Sequence, residues 1–503
     1  MDVYRTRKIC INKQHALYQW CSTVTSLGNN LSNAVRFRQR QILTAVRKDS
    51  SSLTENEKQV IAEFKAIHKT FDAGNGFISK SSMEKTLRAN RNPDFFAKGL
   101  PRQTAQHIVY QACDDMENYY RALAAYKASA SGFTGMPELP GYKKKGGMCT
   151  VEISNQDCTI AVDEHGRTYA GLPFAKSTPL CLGESIGGTL KKVTVTPTNG
   201  VFVLGFTFDV QKPDVMMAAV PERIAGIDFG VNNLMAVTNN CGLPCLLYKG
   251  GIVKSINQKY NKEPAAIMQK EMAKPGCPKN KNGSPKFVPT RESMELTNRR
   301  NNRIHDFMLK AACHFVAWCV ENRIDTVVAG VNSDWKQNPD MNHVNNQNFV
   351  QIPFALLRSI ISYKCEEFGI HFIEHEESYT SQASFIDNDY IPTYNVDPEN
   401  ASFSGLRGPT RYKGMYRKSG FHGIYRTKDG IFINADLNGS ANIIRKTIPD
   451  AFSGRPNVDF SRVVIIKNPD QEFILLNQAM QQSKRSCVIS HAKAVRILKR
   501  LAA

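Results

Sequence analysis

No stretch of this sequence approaches the roughly 18–20 consecutive apolar residues that a membrane-crossing helix needs, and the opening MDVYRTRKIC holds no apolar secretory core. The expectation is a soluble intracellular protein with no membrane partner, cytoplasmic and nucleoid-associated if prokaryotic. Acids are scarce beside bases: 45 Asp and Glu against 65 Lys and Arg leave a formal charge of +20, which favours a polyanionic partner, with nucleic acid ahead of an anionic membrane surface. Paired cysteines are also missing. The 13 cysteines are scattered, and the closest two, in NNCGLPCLL, have no second pair at zinc-finger spacing, so reduced thiols are expected rather than zinc or a disulfide framework.

At 503 residues with 42% apolar content, the chain exceeds one hydrophobic core and can build two or more packed units. Residues 2–12 read as a strand, followed by about 110 residues of helical pattern. Arg36, Arg38 and Arg40 lie in that region, either facing a phosphate backbone or lining a solvated helix face. From FTGMPELPGYKKK to FVLGFTFDV, short β-branched runs and turn residues every 8–12 positions suggest a small antiparallel barrel. Lys143, Lys144 and Lys145 fall on one of its loops, as a phosphate grip or as solubilising charge.

After Pro221 the pattern turns α/β. RIAGIDFGVNNLMAVTNN and CLLYKGG read as a three-stranded meander. A helical region follows, broken by AKPGCPKNKNGSPKF. Its second helix has a core-facing stripe of Ile304, Phe307, Met308, Ala311, Phe315, Cys319 and Val320, with Arg299, Arg300 and Arg303 preceding it on the polar side. RIDTVVAG, FVQIPFALLRSIISYKCEEFG and IHFIEHEE read as strand, helix, strand, a parallel pair. GIFINADLNGSANIIRK brings a short strand into a helix near Asp436. Residues 380–430 are polar, with little periodicity, and the end of the chain carries a further basic run, either a nucleic-acid arm or a plain basic terminus.

An aspartate in mid-strand, as in AGIDFGVNN, is costly unless a cation or donor compensates it. Magnesium prefers hard carboxylate oxygens from separate segments, so Asp228 calls for further acids. Asp436 is one candidate; on its residues alone the helix cap is the stronger reading, and the ligand the weaker.

GIDFGVNNLMAVT, NQNFVQIPFALLRSIISYKCEEFGI, EESYTSQASF and INADLNGSANIIRK, in this order, closely resemble the TnpB family of transposon-encoded, RNA-guided DNA endonucleases; NNLSNAVRFRQRQ, LPRQTAQHIV and FTGMPELPGYKKK look like the same family's N-terminal part. The resemblance implies a multidomain α/β plus all-β protein, with a split RNase H-like (RuvC) nuclease core and an N-terminal β-barrel (wedge) carrying a helical recognition insertion. The implied boundaries are 1–12 and 129–221 for the barrel, 13–128 for the insertion, 222–380 and 431–482 for the nuclease, 381–430 for a target-binding insertion, and 483–503 for the tail.

It further implies Mg2+-dependent cleavage with two ions per site, a guide RNA derived from the transposon end, and a double-stranded DNA target bearing a short flanking motif. Asp228 and Asp436 become the first and last metal-binding carboxylates. Two departures stand out. Many relatives carry the middle Glu at the end of the strand matching DTVVAG, where this chain has Gly330; some TnpB-like and Fanzor proteins carry it just before the TS pair, which selects Glu377, with Glu376 the alternative and Glu374 nearby. Relatives also carry a CxxC…CxxC zinc ribbon before the last Asp, but residues 380–436 have no cysteine and only His422, so structural zinc is not expected. Arg407, Arg411, Lys413, Arg417 and Arg426 of that segment are candidates for phosphate contacts. VNSDWKQNPDMNHVNNQNF matches a subgroup of the family, with Trp335, Lys336, Gln337 and Asn348 in it, either shaping a substrate groove or packing locally. The competing readings are a nuclease-inactive RNA-guided repressor and a type V CRISPR effector sharing the same core.

Overall fold

The computed structural model describes residues 3–68, 78–184, 187–210, 220–332, 350–394, 402–408, 411–416 and 420–470. The Trp335–Gln337 loop, Asn348, Arg417 and the tail 483–503 lie outside the described residues. The chain divides into two compact units, 1–212 and 213–503. No helix of the described residues is long and apolar enough to cross a membrane.

The first unit runs β1 (Val3–Ile11), α1 (Tyr18–Ala45), α2 (Glu55–Ile67), α3 (Lys80–Ala89), α4 (Arg102–Ala128), β2 (Val151–Ser154), β3 (Thr159–Val162), β4 (Arg167–Gly171), β5 (Leu180–Glu184), β6 (Thr189–Thr198) and β7 (Val201–Val210). Apolar residues at helical spacing, Cys21, Val24, Leu31, Val35 and Ile42, bury one face of α1. Thr54 opens α2 with a reciprocal capping box to Glu57. The β6–β7 hairpin turns on Asn199 and Gly200, both at positive φ, the pattern that matches strand twist in a two-residue turn. The strands expected to form a barrel pair as two sheets, four-stranded in the order β1-β7-β6-β2 and three-stranded in the order β3-β4-β5.

The second unit continues with β8 (Ile224–Asp228), β9 (Asn233–Asn239), β10 (Cys245–Lys249), α5 (Gly251–Met272), α6 (Arg291–Glu321), β11 (Thr326–Val331), α7 (Phe354–Glu367), β12 (His371–Glu376), β13 (Leu406–Arg407), β14 (Arg411–Tyr412), β15 (Met415–Tyr416), β16 (Ile424–Arg426), β17 (Phe432–Asn434), α8 (Ala435–Thr447) and β18 (Val463–Ile466). Six strands form the central sheet in the order β12-β11-β8-β9-β10-β18. The β8–β9–β10 meander is antiparallel; β11 runs parallel to β8, and β12 parallel to β11. Every residue of β9 is buried, as a strand covered on both faces requires. Ala225, Ile227, Val327 and Ala329 pack with α5, α6 and α7, whereas Ile224 and Val328 pack on Ile443 and Ile444 of α8.

The α6 stripe is buried as its spacing predicts, save that Val320 is only partly covered. One expectation is corrected. Arg299, Arg300 and Arg303 lie inside α6, because Thr290 caps the helix well upstream by accepting from Ser293 N. The segment between β12 and β17 forms the sheet β13-β16-β17 and the ribbon β14–β15. Its order rests on fully buried Tyr425, which donates to Gln382 O at 2.8 Å, and on Asp389, which accepts from Ser384 N and Ser404 Oγ.

Between the sheet and α6, Tyr248 Oη and His314 Nδ1 share a 2.7 Å hydrogen bond in the apolar core. Burial pushes the His314 pKa down to about 4. An unfolded histidine titrates near 6.5, so the folded unit resists a proton that the unfolded chain accepts, and stability present above pH 6.5 is lost as pH falls toward 4. The full penalty is about 3 kcal/mol. His314→Gln, which keeps an acceptor for Tyr248 without titrating, is expected to flatten the fall in stability between pH 7 and pH 4 in denaturant melts; an unchanged pH profile would refute the assignment.

Candidate active site

Three parallel strands end together at one edge of the central sheet, the place where open α/β sheets collect functional groups. Asp228 is the last residue of β8, and Glu377 follows β12, tied by its own N–H to Val331 O at the end of β11. Asp436 enters from the opposite direction, in the first turn of α8. The capping role open to Asp436 is filled by Asn434, whose Oδ1 accepts from Asp436 N and Leu437 N at 3.0 and 3.1 Å. The Asp436 carboxylate is thereby released for other work: Oδ2 accepts from Asn233 Nδ2 at 2.7 Å, and Oδ1 from Arg407 at 3.2 Å.

Asp228 is the electrostatic centre. Its carboxyl is held well above the ordinary carboxylate range, first by the protein packed around it, then by the negative charges of Glu377 and Asp436; the Arg407 guanidinium opposes them. Close helix packing enforces this crowding, since a Cβ on Gly439 of α8 would stand 2.5 Å from Asp228 Oδ2. Among the described residues, no three His, Cys, Asp or Glu side chains already stand as a ligand set for one ion.

The two adjacent glutamates have different surroundings. Glu376 receives Lys446 Nζ at 2.8 Å and Ser378 N at 2.6 Å; although burial acts in the other direction, these partners hold its carboxyl below the usual range. The Lys446 side chain is only 7% exposed, whereas that of Glu376 is 43% exposed, so the pair reaches from the interior to the surface. Glu374 lies toward α7, 3.6 Å from Arg358. Glu377 alone of the three faces Asp228 closely enough to raise its pKa. A Cβ on Gly330 would collide with Glu377 Oε2 and with Ile443, so the Glu377 carboxylate fills the space that a side chain at 330 would need.

The basic candidates are distributed unevenly. Arg38 is buried against Glu63, Arg36 pairs with Asp115, and Arg40 lies over the Tyr142 ring. Lys144 and Lys145 are exposed, and Lys143 is half-buried. Arg299 and Arg303 are exposed on α6, whereas Arg300 donates to Asn257 Oδ1 and Gln351 O and thereby ties α5 to α6 and to the segment before α7. Arg407 belongs to the acid cluster rather than to a remote phosphate-binding face. Arg411 is exposed on the ribbon.

Sequence reasoning missed the chain Lys249 Nζ, Asn233, Asp436, in which Lys249 donates to Asn233 Oδ1 at 2.7 Å. The available signal was an asparagine placed directly before the apolar run Leu234–Val237, five residues after Asp228 in the same motif. It also missed Lys446. Crowded like charges cost stability when no cation relieves them. Asp228→Asn is accordingly expected to raise the thermal midpoint of the second unit at pH 7 without divalent metal, by about 2–4 °C for each kcal/mol relieved; a lowered midpoint would contradict the electrostatic reading.

A family model described as "Probable transposase" (OrfB, IS605) matches residues 207–336, and one described as "Cas12f1-like, TNB domain" matches 354–443. No curated protein matches the chain. Among solved structures it is similar to a Cas12f1 in complex with sgRNA and target DNA, at 15% identity over 89% of this chain and 100% of that one, TM-score 0.32. It is also similar to the mini-RNA-guided endonuclease CRISPR-Cas_phi3, at 10% identity over 90% of this chain and 93% of that one, TM-score 0.39. The first family match contains Asp228 and the second contains Glu377 and Asp436, and both are consistent with the resemblance to the TnpB family carried by the sequence motifs.

Proposed function

We propose that the protein is an RNA-guided DNA endonuclease in which the second unit is a RuvC-type nuclease and Asp228, Glu377 and Asp436 are its catalytic carboxylates. The observation that carries the reading is the raised pKa of Asp228, caused by burial and by the two other acids: such a cluster is built to receive positive charge. The strand order β12-β11-β8-β9-β10, an antiparallel meander extended by two parallel strands, supports an RNase H-like core.

The donor set is all hard oxygen, which suits Mg2+ better than a softer ion. Asp228, Glu377 and Asp436 would hold the two ions, which supply an acidified water and stabilise a leaving 3′-oxygen when bound. Asp436 must exchange its bond to Arg407 for that role, while Asn233, itself bonded by Lys249, keeps the other carboxylate oxygen oriented. Arg407, once displaced, is positioned to meet the phosphate of a substrate strand. Lys446 neutralises Glu376 so that a fourth carboxylate does not compete for the same cation. Guide pairing would read the target and the protein a short flanking motif, with the helices and sheets of the first unit as the recognition and wedge elements. A transposon-end origin of the guide completes the proposal.

The test is to purify the full chain, sequence the RNA that accompanies it, and challenge the complex with a DNA library of randomised flanks in Mg2+. A discrete RNA and cleavage beside a short motif are expected; absence of both would overturn the proposal, and binding without cleavage would convert it to the repressor reading. Because altering groups that merely orient ligands costs about 10–100-fold, Asp228→Asn, Glu377→Gln and Asp436→Asn are each expected to lower cleavage by about 100-fold or more while sparing target binding. Gly330→Ala, which displaces the Glu377 carboxylate, is expected to lose about 10–100-fold. Glu376→Gln is expected to cost much less than Glu377→Gln; the reverse order would assign the middle carboxylate to Glu376.

A further inference from the structure

Two of the three arginines whose clustering suggested a phosphate contact, Arg36 and Arg40, lie beneath a loop. Along one face of α1, Asn29 Nδ2 donates to Lys144 O at 3.0 Å, and Asn33 brackets Lys143, donating to its carbonyl at 3.0 Å and accepting from its N–H at 2.8 Å. Arg36 donates to Gly141 O while paired with Asp115, and Arg40 stacks its guanidinium 5.2 Å from the centroid of the Tyr142 ring. Positions 29, 33, 36 and 40 share a helical face, and all four serve the segment 141–145.

What this arrangement presents outward is unusual for a solubilising loop. Tyr142 is 51% exposed although Arg40 covers one side of its ring, and Lys144 and Lys145 point to solvent beside it. Solubility needs no such fixing: flexible lysines serve it as well, and three adjacent like charges on a pinned backbone repel one another. An aromatic platform with flanking lysines at fixed spacing is the combination that holds an unpaired nucleotide strand, the ring stacking a base and the ammonium groups meeting phosphates. A double helix offers phosphates but no open base face.

We infer that residues 141–145 form a docking platform for an unpaired nucleotide strand, with Tyr142 as the stacking residue and Lys143, Lys144 and Lys145 as its phosphate contacts. The inference rests on the nucleic-acid reading above and specifies the form of strand that this surface takes.

The test uses the full-length chain freed of RNA and three fluorescent probes of one length: single-stranded RNA, single-stranded DNA and duplex DNA. Tyr142→Ala is expected to weaken single-strand binding on the order of ten-fold with little effect on duplex, and Tyr142→Trp to retain it. Replacing the three lysines with alanine is expected to reduce the salt slope of single-strand binding by about 2, the value for three phosphates on a single strand. A preference for the RNA or the DNA probe identifies the source of the strand. Equal losses on single strand and duplex, or no loss in Tyr142→Ala at an unchanged melting temperature, would overturn the inference. Cleavage is scored separately: a protein that shows the Tyr142 effect but cuts no DNA retracts the endonuclease proposal alone, and one that cuts while Tyr142→Ala binds normally retracts this one.

Discussion

The second unit is organised around the repulsion among three carboxylates. Asp228 ends a central strand, and the other acids come from the far side of a crossover and from a helix packed across the opposite face. No apolar contact favours bringing them together. The sheet and α8 overcome that cost with ordinary burial, Ile224 and Val328 against Ile443 and Ile444. The carboxylates converge because the hydrophobic core leaves their backbones no other place.

Positive and neutral donors set the acids apart from one another. Lys446 pairs with Glu376, while Asn233 and Arg407 divide the two oxygens of Asp436. The Glu377 carboxylate sits where Gly330 supplies no side chain. Residue 330 and Glu377 therefore compete for one space beside Asp228, and the glycine leaves it to the carboxylate.

Much of the second unit could be read from residues alone, because the meander and the strand–helix–strand pair carry long apolar runs with clear punctuation. The choice of Glu377 over Glu376 came from the family resemblance, and the distinction lies in Lys446, which is 70 positions away and carries no local signal. The surroundings of the α1 arginines were illegible for a similar reason: helical spacing identifies a shared face but not what covers it, and here Arg36 and Arg40 meet a loop more than 100 residues downstream while Arg38 pairs with Glu63. Strand β18 was illegible too, four residues with no periodicity that find a place only beside β10. Helix starts erred where a cap lay upstream of the apolar stripe, as Thr290 shows.

One pairing described earlier bears on how the chain acquires its shape. The first strand, Val3–Ile11, lies in register with Val201–Val210, and Thr6 meets Thr207 across 201 positions. During synthesis that strand emerges well before the hairpin that receives it and must wait, its edge unsatisfied, until the hairpin has been made. The described helices between them can form from local contacts in the meantime, whereas the pairing of β1 with β7 closes only after both ends of this long span exist.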